Sequence, residues 1–176
     1  MTMTIEEARA KLGELIKGIR VAQLTTVEDD GSLRSRPMGT QDIEFDGTLW
    51  FFTQIQAPKV RELRAEEHVN VTYSDIDHDR FVSVSGRAQV VQDRAKIDEL
   101  WKPFLKAWFP EGKDDPQIAL IRVDVDHAEY WDAPNSTMVK VVGFLKAVTT
   151  GEIYAPGENK RIDMKTGEVK DKKPAA

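Results

Sequence analysis

Thr53, Gln54 and Lys59 supply what an anion site needs, a hydroxyl, an amide and a cation, within the string Thr53-Gln54-Ile55-Gln56-Ala57-Pro58-Lys59. The preceding Trp50-Phe51-Phe52 is aromatic and favours a strand. Pro58 suits the first turn of a helix. The string therefore reads as strand, polar loop and helix start, and the unsatisfied backbone N–H groups of a first helical turn attract phosphate. An ordinary strand-to-helix connection with a solvated lysine fits the same residues and, for this segment alone, is the commoner arrangement. One strand earlier, Arg34-Ser35-Arg36-Pro37-Met38-Gly39 offers a second set of cations on an extended segment, where a proline also suits an edge strand.

Together these segments resemble the pyridoxamine 5'-phosphate oxidase-like FMN-binding split barrels. The aromatic-Thr pair Phe52-Thr53, with Gln54 and a loop ending in Lys59, is similar to that family's phosphate-binding strand, loop and helix. Arg36-Pro37-Met38 resembles its second-strand motif beside the flavin. Phe81-Val82-Ser83-Val84-Ser85-Gly86-Arg87-Ala88 resembles its fifth strand, and Glu129-Tyr130-Trp131-Asp132 the aromatic-Trp end of its last barrel strand. The likeness spans roughly Ile19 to Trp131 and points to the general-stress-protein branch. It implies FMN, with FAD fitting as well if the pocket opens outward beyond the phosphate. It implies that Arg36, Pro37 and Met38 line the flavin, that Thr53, Gln54 and Lys59 hold its phosphate end, and that Phe52 belongs to the same cofactor site. It also implies a homodimer, with Trp131 approaching the flavin from the partner.

The departures from the family's oxidase are specific. Gly39-Thr40-Gln41 stands where the oxidase carries a lysine that reaches flavin and substrate. Asp132-Ala133-Pro134-Asn135 stands where an Arg-x-His run follows the Trp. Phe81 replaces a glutamine, and Ala57-Pro58 replaces a Ser-Arg pair. The expected function is an FMN-binding general stress protein without true oxidase activity. The alternative is a flavin reductase or oxidoreductase using NAD(P)H, which steady-state turnover with either nucleotide would separate.

Other constellations carry less. Asp75-Ile76-Asp77-His78-Asp79 opens like a calcium loop, but Arg80 occupies the glycine position and Gly86 the glutamate position, so a hairpin turn is expected. His68, His78 and His127 lack ligand spacing, and no metal is expected. The net charge of −5 disfavours a general nucleic-acid binder. The absence of cysteine excludes a disulfide framework or a thiol nucleophile and fits a reducing cytoplasm. With neither a signal-peptide pattern nor a membrane-length apolar run, a cytoplasmic, non-membrane protein is expected.

These residues need a scaffold, and the sequence outlines one that is mainly β (α+β): a six-stranded antiparallel split β-barrel with peripheral helices. Thr4, followed by Glu6 and Glu7, caps a first helix that ends near Gly18. Strands are expected at Val21 to Val27, Leu33 to Phe45, Leu49 to Thr53, Val69 to Tyr73, Arg80 to Val91 and Ile118 to Trp131, with Asp-Gly turns at residues 30–31 and 46–47. A short helix spans Lys59 to Glu67. Asp93 caps a third helical region carrying Ile97, Leu100, Trp101, Phe104, Leu105 and Trp108 as an apolar stripe interrupted at Pro103. Met138 to Val148 fits a further helix. The domain is placed at residues 1–150, and residues 151–176, polar and ending Pro-Ala-Ala, are expected to form a loosely held tail.

Overall fold

The first helix, α1 (Ile5–Ile16), starts where its cap dictates. Thr4 Oγ1 accepts from the Glu7 backbone N–H at 3.1 Å, and the Glu7 carboxylate accepts from the Thr4 N–H at 2.8 Å, a reciprocal capping box. Its inward face places Ala8, Leu12 and Leu15 against the sheet. This computed structural model describes residues 2–133, 146–150 and 157–171. The strands are β1 (Val21–Val27), β2 (Leu33–Gly39), β3 (Thr48–Gln54), β4 (His68–Asp75), β5 (Arg80–Val91), β6 (Ile118–Asp132), β7 (Glu158–Asp163) and β8 (Val169–Asp171). Helices α2 (Pro58–Ala65) and α3 (Arg94–Leu100) interrupt them, and a 3₁₀ turn spans Pro103–Ala107.

All pairings are antiparallel, in the order β2-β1-β4-β5-β6-β7-β8, with β3 joined to β6. The long β6 explains the branching. Its first half pairs with β3 from Ile118↔Gln54 to Asp124↔Thr48, and its second half pairs with β7 from His127↔Asp163 to Asp132↔Glu158, while β5 follows its other side. The bend between the halves coincides with a register shift at Ser85/Gly86. A Cβ on Gly86 would collide with the Asp124 carbonyl oxygen, so the two strands approach there only because residue 86 has no side chain. Among the described residues no pairing joins β2 to β3, and the sheet does not close.

Two apolar layers result. The larger lies between α1 and the inner sheet face, with Leu24, Phe51, Val71, Val84, Tyr130 and Ile162 among its members. The smaller packs Ile97, Leu100, Leu105 and Phe109 against Ile118 and Leu120, with Trp50, Phe52 and Trp101 at its margin. Strand β3 alternates between them: Leu49, Phe51 and Thr53 turn to the first layer, Trp50 and Phe52 to the second.

The six expected strands are present, but the architecture differs from the expectation in three places, and a fourth expectation falls mostly on residues that are not described. Residues 158–171 are not a loose tail: β7 and β8 extend the sheet, and Ile162, Met164 and Val169 are buried in its core. Strand β2 stops at Gly39, not Phe45, because its partner β1 begins at Val21, the residue opposite Gly39. The apolar stripe is broken at Pro103: that proline restarts the chain as a 3₁₀ turn, which keeps Leu105 buried but points Phe104 and Trp108 to solvent, ring against ring at 6.4 Å. The helix expected over Met138 to Val148 lies outside the described residues except for its end, where 146–150 are helical.

Candidate functional site

Arg36, on β2, shares the inward side of the sheet with Thr26 of β1 and reaches the flank of α2. Its Nη2 lies 2.7 Å from the Glu62 carboxylate and its Nη1 donates to Thr26 Oγ1 at 2.6 Å. The Thr26 hydroxyl in turn donates to the same Glu62 oxygen at 2.6 Å. Both hydroxyl functions of Thr26 are thereby used. The pair is nearly out of water, with 13% of the Arg36 and 5% of the Glu62 side chain exposed. Burial pushes the Glu62 carboxyl up, but the Thr26 hydrogen bond and then the Arg36 charge outweigh it, and the group stays below the ordinary glutamate value.

Lys59 lies one turn before Glu62 on α2, so the two side chains are neighbours on the helix surface. Burial, then the Arg36 charge, lowers its ammonium below the ordinary lysine range, against an opposing pull from Glu62. Arg36 and Lys59, expected from separate segments, are therefore both placed near Glu62, Arg36 in direct contact with it and Lys59 one helical turn before it. Helix α2 begins at Pro58, and its N-cap, Ala57, has no side-chain hydrogen bond to offer the first turn. Pro58 has no N–H and the Val60 N–H donates to the Ala57 carbonyl at 2.9 Å, so an external acceptor at this end would rely on the positive end of the helix and the Lys59 side chain.

Gln54 closes β3 beside this helix start and is exposed, and its carbonyl accepts from the Ala57 N–H at 3.0 Å. Thr53 is buried, its hydroxyl 3.5 Å from the Gln54 carbonyl. Phe52 does not join them. Its ring packs at 6.2 Å from both Trp101 and Phe109, on the opposite side of β3 from Thr53. On β2, Met38 is buried in the main core, whereas Pro37 faces outward opposite Gln23 on the edge strand. Arg36, Pro37 and Met38 thus present their side chains to alternating faces.

Trp131 stands apart from all of these. It lies thirteen residues along β6 from Ile118, the partner of Gln54, or about 40 Å of extended strand. It is 40% exposed on the outer sheet face, opposite the equally exposed Phe81. Around them this face carries short polar side chains, including the Thr25–Ser35 pair at 2.7 Å and Asn70 donating to Ser83 at 2.9 Å. Tyr130 turns the other way, buried, its hydroxyl 3.2 Å from Glu158 and its ring beneath the Lys11 ammonium.

Thr40, at the expected lysine position, bonds the Ile19 carbonyl through its hydroxyl at 2.7 Å and the Arg20 carbonyl through its N–H at 3.0 Å. Arg80 and Arg87, the cations that would most readily compensate, sit beside Asp132 at 3.2 Å and Asp126 at 3.5 Å. Pro134 and Asn135 lie outside the described residues. A concavity lined by Glu28, Asp29, Asp30, Arg61 and Glu62 itself holds four carboxylates against one guanidinium, which disfavours a phosphate there. Sequence reasoning missed Thr26 and Glu62. Glu62 carried a weak signal, an acid one turn after Lys59 and adjacent to the inward Leu63.

A family model described as "Pyridoxamine 5'-phosphate oxidase like" matches residues 7–155. The chain is 30% identical over 151 residues to protein bli-3 of Neurospora crassa, covering 80% of this chain and 72% of that one. It is 25% identical over 143 residues to general stress protein 26 of Bacillus subtilis, covering 79% and 99%. Among solved structures, the general stress FMN/FAD binding protein of Xanthomonas citri superposes with a TM-score of 0.62 at 33% identity, covering 75% of this chain and 92% of that one.

Proposed function

The chain belongs to the pyridoxamine 5'-phosphate oxidase-like family, in its general-stress-protein branch, and from that premise we propose that it binds FMN between two copies of itself. The observation that carries the reading is the placement of Arg36 against the flank of α2, on Glu62, with Lys59 one turn earlier in the first turn of the same helix. Two cations at a helix start suit a phosphate monoester. Thr53 and Gln54 end the strand that leads into this turn, and a flavin ring placed along β2 passes the backbone of Pro37 and Met38. The Xanthomonas citri relative, described as FMN/FAD binding, supports the same ligand class.

The spacing along β6 supports the second copy: Trp131 lies thirteen residues beyond the strand partner of Gln54, which favours a site that takes its Lys59 and its Trp131 from different chains. The exposed Phe81 and Trp131 on a face of short polar side chains suit a self-complementary contact. When bound, the flavin supplies the redox chemistry; the chain's residues bind and orient it.

Titration of the purified protein with FMN, followed by flavin fluorescence, tests the reading. Quenching is expected, and Lys59→Ala should weaken FMN more than riboflavin, since only FMN carries the phosphate. No change in fluorescence at high micromolar protein would refute the proposal. Light scattering should give a dimer, and Trp131→Ala should shift it toward the monomer mass of 19.9 kDa.

A further inference from the structure

The Arg36 guanidinium has five N–H donors, and the hydrogen bonds to Thr26 and Glu62 engage its two terminal nitrogens from one side. The carboxylate that accepts one of them also accepts from the Thr26 hydroxyl, which closes a three-membered ring of side chains from β1, β2 and α2. All three members are substantially removed from water. A long, flexible arginine side chain is thereby fixed in one plane by two separate strands and a helix. Such pre-orientation strengthens recognition of a planar or tetrahedral oxyanion, because the ordering cost is met before the ligand arrives.

On the reading given above, we propose that Glu62 is a positioning residue of the phosphate end. With Thr26 it clamps the Arg36 guanidinium so that the remaining N–H donors act with Lys59 on one anion. Glu62 does not touch the ligand. Its negative charge opposes phosphate binding, and its hydrogen-bond geometry favours it. The two effects separate because Glu62→Gln and Glu62→Ala remove the same charge, but only the glutamine retains an oxygen that accepts from Arg36 and Thr26.

The experiment compares FMN and riboflavin affinities for the full-length wild type, Glu62→Gln and Glu62→Ala by fluorescence titration. Glu62→Gln should bind FMN at least as tightly as the wild type. Glu62→Ala should bind FMN roughly tenfold more weakly than Glu62→Gln, in line with loss of a charged hydrogen-bond geometry, with riboflavin affinity the same in both. In ¹⁵N spectra the Arg36 guanidinium should give separate Nη signals in the wild type and Glu62→Gln, and averaged signals in Glu62→Ala. Equal FMN affinities in the two variants, or tighter binding by Glu62→Ala, would overturn the inference and make Glu62 a competing anion only. Parallel loss of FMN and riboflavin would overturn it in favour of a purely structural role. If Glu62→Ala does not fold, Thr26→Val against Thr26→Ser applies the same comparison to the other arm of the clamp. A wild type with no preference for FMN over riboflavin overturns the phosphate-site reading and this inference together. A preference that persists unchanged through the variants overturns the inference alone.

Discussion

Removing the chain after Gly157 should unfold the protein, although the deleted segment is among the most polar in the sequence. The β7–β8 hairpin contributes three buried apolar side chains, Ile162 and Val169 from its strands and Met164 from its turn, at 1%, 8% and 5% exposure. At about 1.5–3 kcal/mol for each fully buried side chain, their loss removes on the order of 5–9 kcal/mol as an upper estimate. The whole stability of a domain is only about 5–15 kcal/mol. Truncation also uncovers Tyr130 and Ala128 on the β6 half that β7 protects, and it strands the β6 backbone from His127 to Asp132 without a partner on that side. A milder perturbation gives a measurable number. Ile162 sits between Ala128 and Val169, so Ile162→Ala should cost about 2–5 kcal/mol. At roughly 2–4 °C per kcal/mol for a chain of this size, Tm should fall by roughly 5–15 °C. Lys170→Ala, with its side chain 63% exposed, serves as the control and should stay within about 0.5 kcal/mol of wild type. Thermal melts followed by circular dichroism at one fixed protein concentration provide the assay. An Ile162→Ala melt within 2 °C of wild type, or a truncated chain that melts like the full one, would refute the argument that this hairpin is part of the core.

Gly86→Ala should destabilise the fold by about 1–3 kcal/mol, because the new methyl meets the Asp124 carbonyl in the backbone of β6, which cannot swing aside; urea titration reads the loss. The affinity for FMN should fall with rising pH before an ordinary lysine would titrate, since the Lys59 ammonium is held below that range and its charge is lost as pH passes the lowered value. Lys59→Arg should flatten this alkaline limb. Glu62 acts on the acid side: its folded value lies below its unfolded one, so its contribution is present above the ordinary glutamate value and lost as pH falls through the lowered one. Glu62→Gln should therefore shallow the decline of stability in acid. An oxidase assay with pyridoxamine 5'-phosphate, FMN and oxygen should show no significant product, because Thr40 carries no charge and Arg80 and Arg87 are already engaged by carboxylates.

The parts of this molecule that sequence reveals are those whose local pattern and tertiary role agree. Strand β5 announces itself at its true ends, Arg80 and Val91, because alternating residues meet core and solvent all along it. Thr4 and Asp93 start helices for the same local reason, their side chains accepting from backbone N–H groups three residues on. The β7–β8 hairpin is the opposite case. It buries a single face with few apolar residues, so averaged composition reads it as solvated chain. Its local signals are nonetheless present: Ile162 and Met164 alternate with polar neighbours, Asp163 Oδ1 accepts from the Lys165 and Thr166 N–H groups at 2.8 and 2.9 Å, and Gly167 takes a φ of +72°. The candidate site divides along the same line. Arg36 and Lys59 stand out as cations in recognisable strings, but Glu62 looks like one more charge on a short surface helix. Only the fold places it against Thr26 and Arg36, because the three residues come from elements separated by 10 and 26 positions from Arg36 in the chain. Local spacing cannot encode a clamp of that kind. It exists because β1, β2 and α2 converge, and it makes the burial of Glu62 a consequence of the partner it holds.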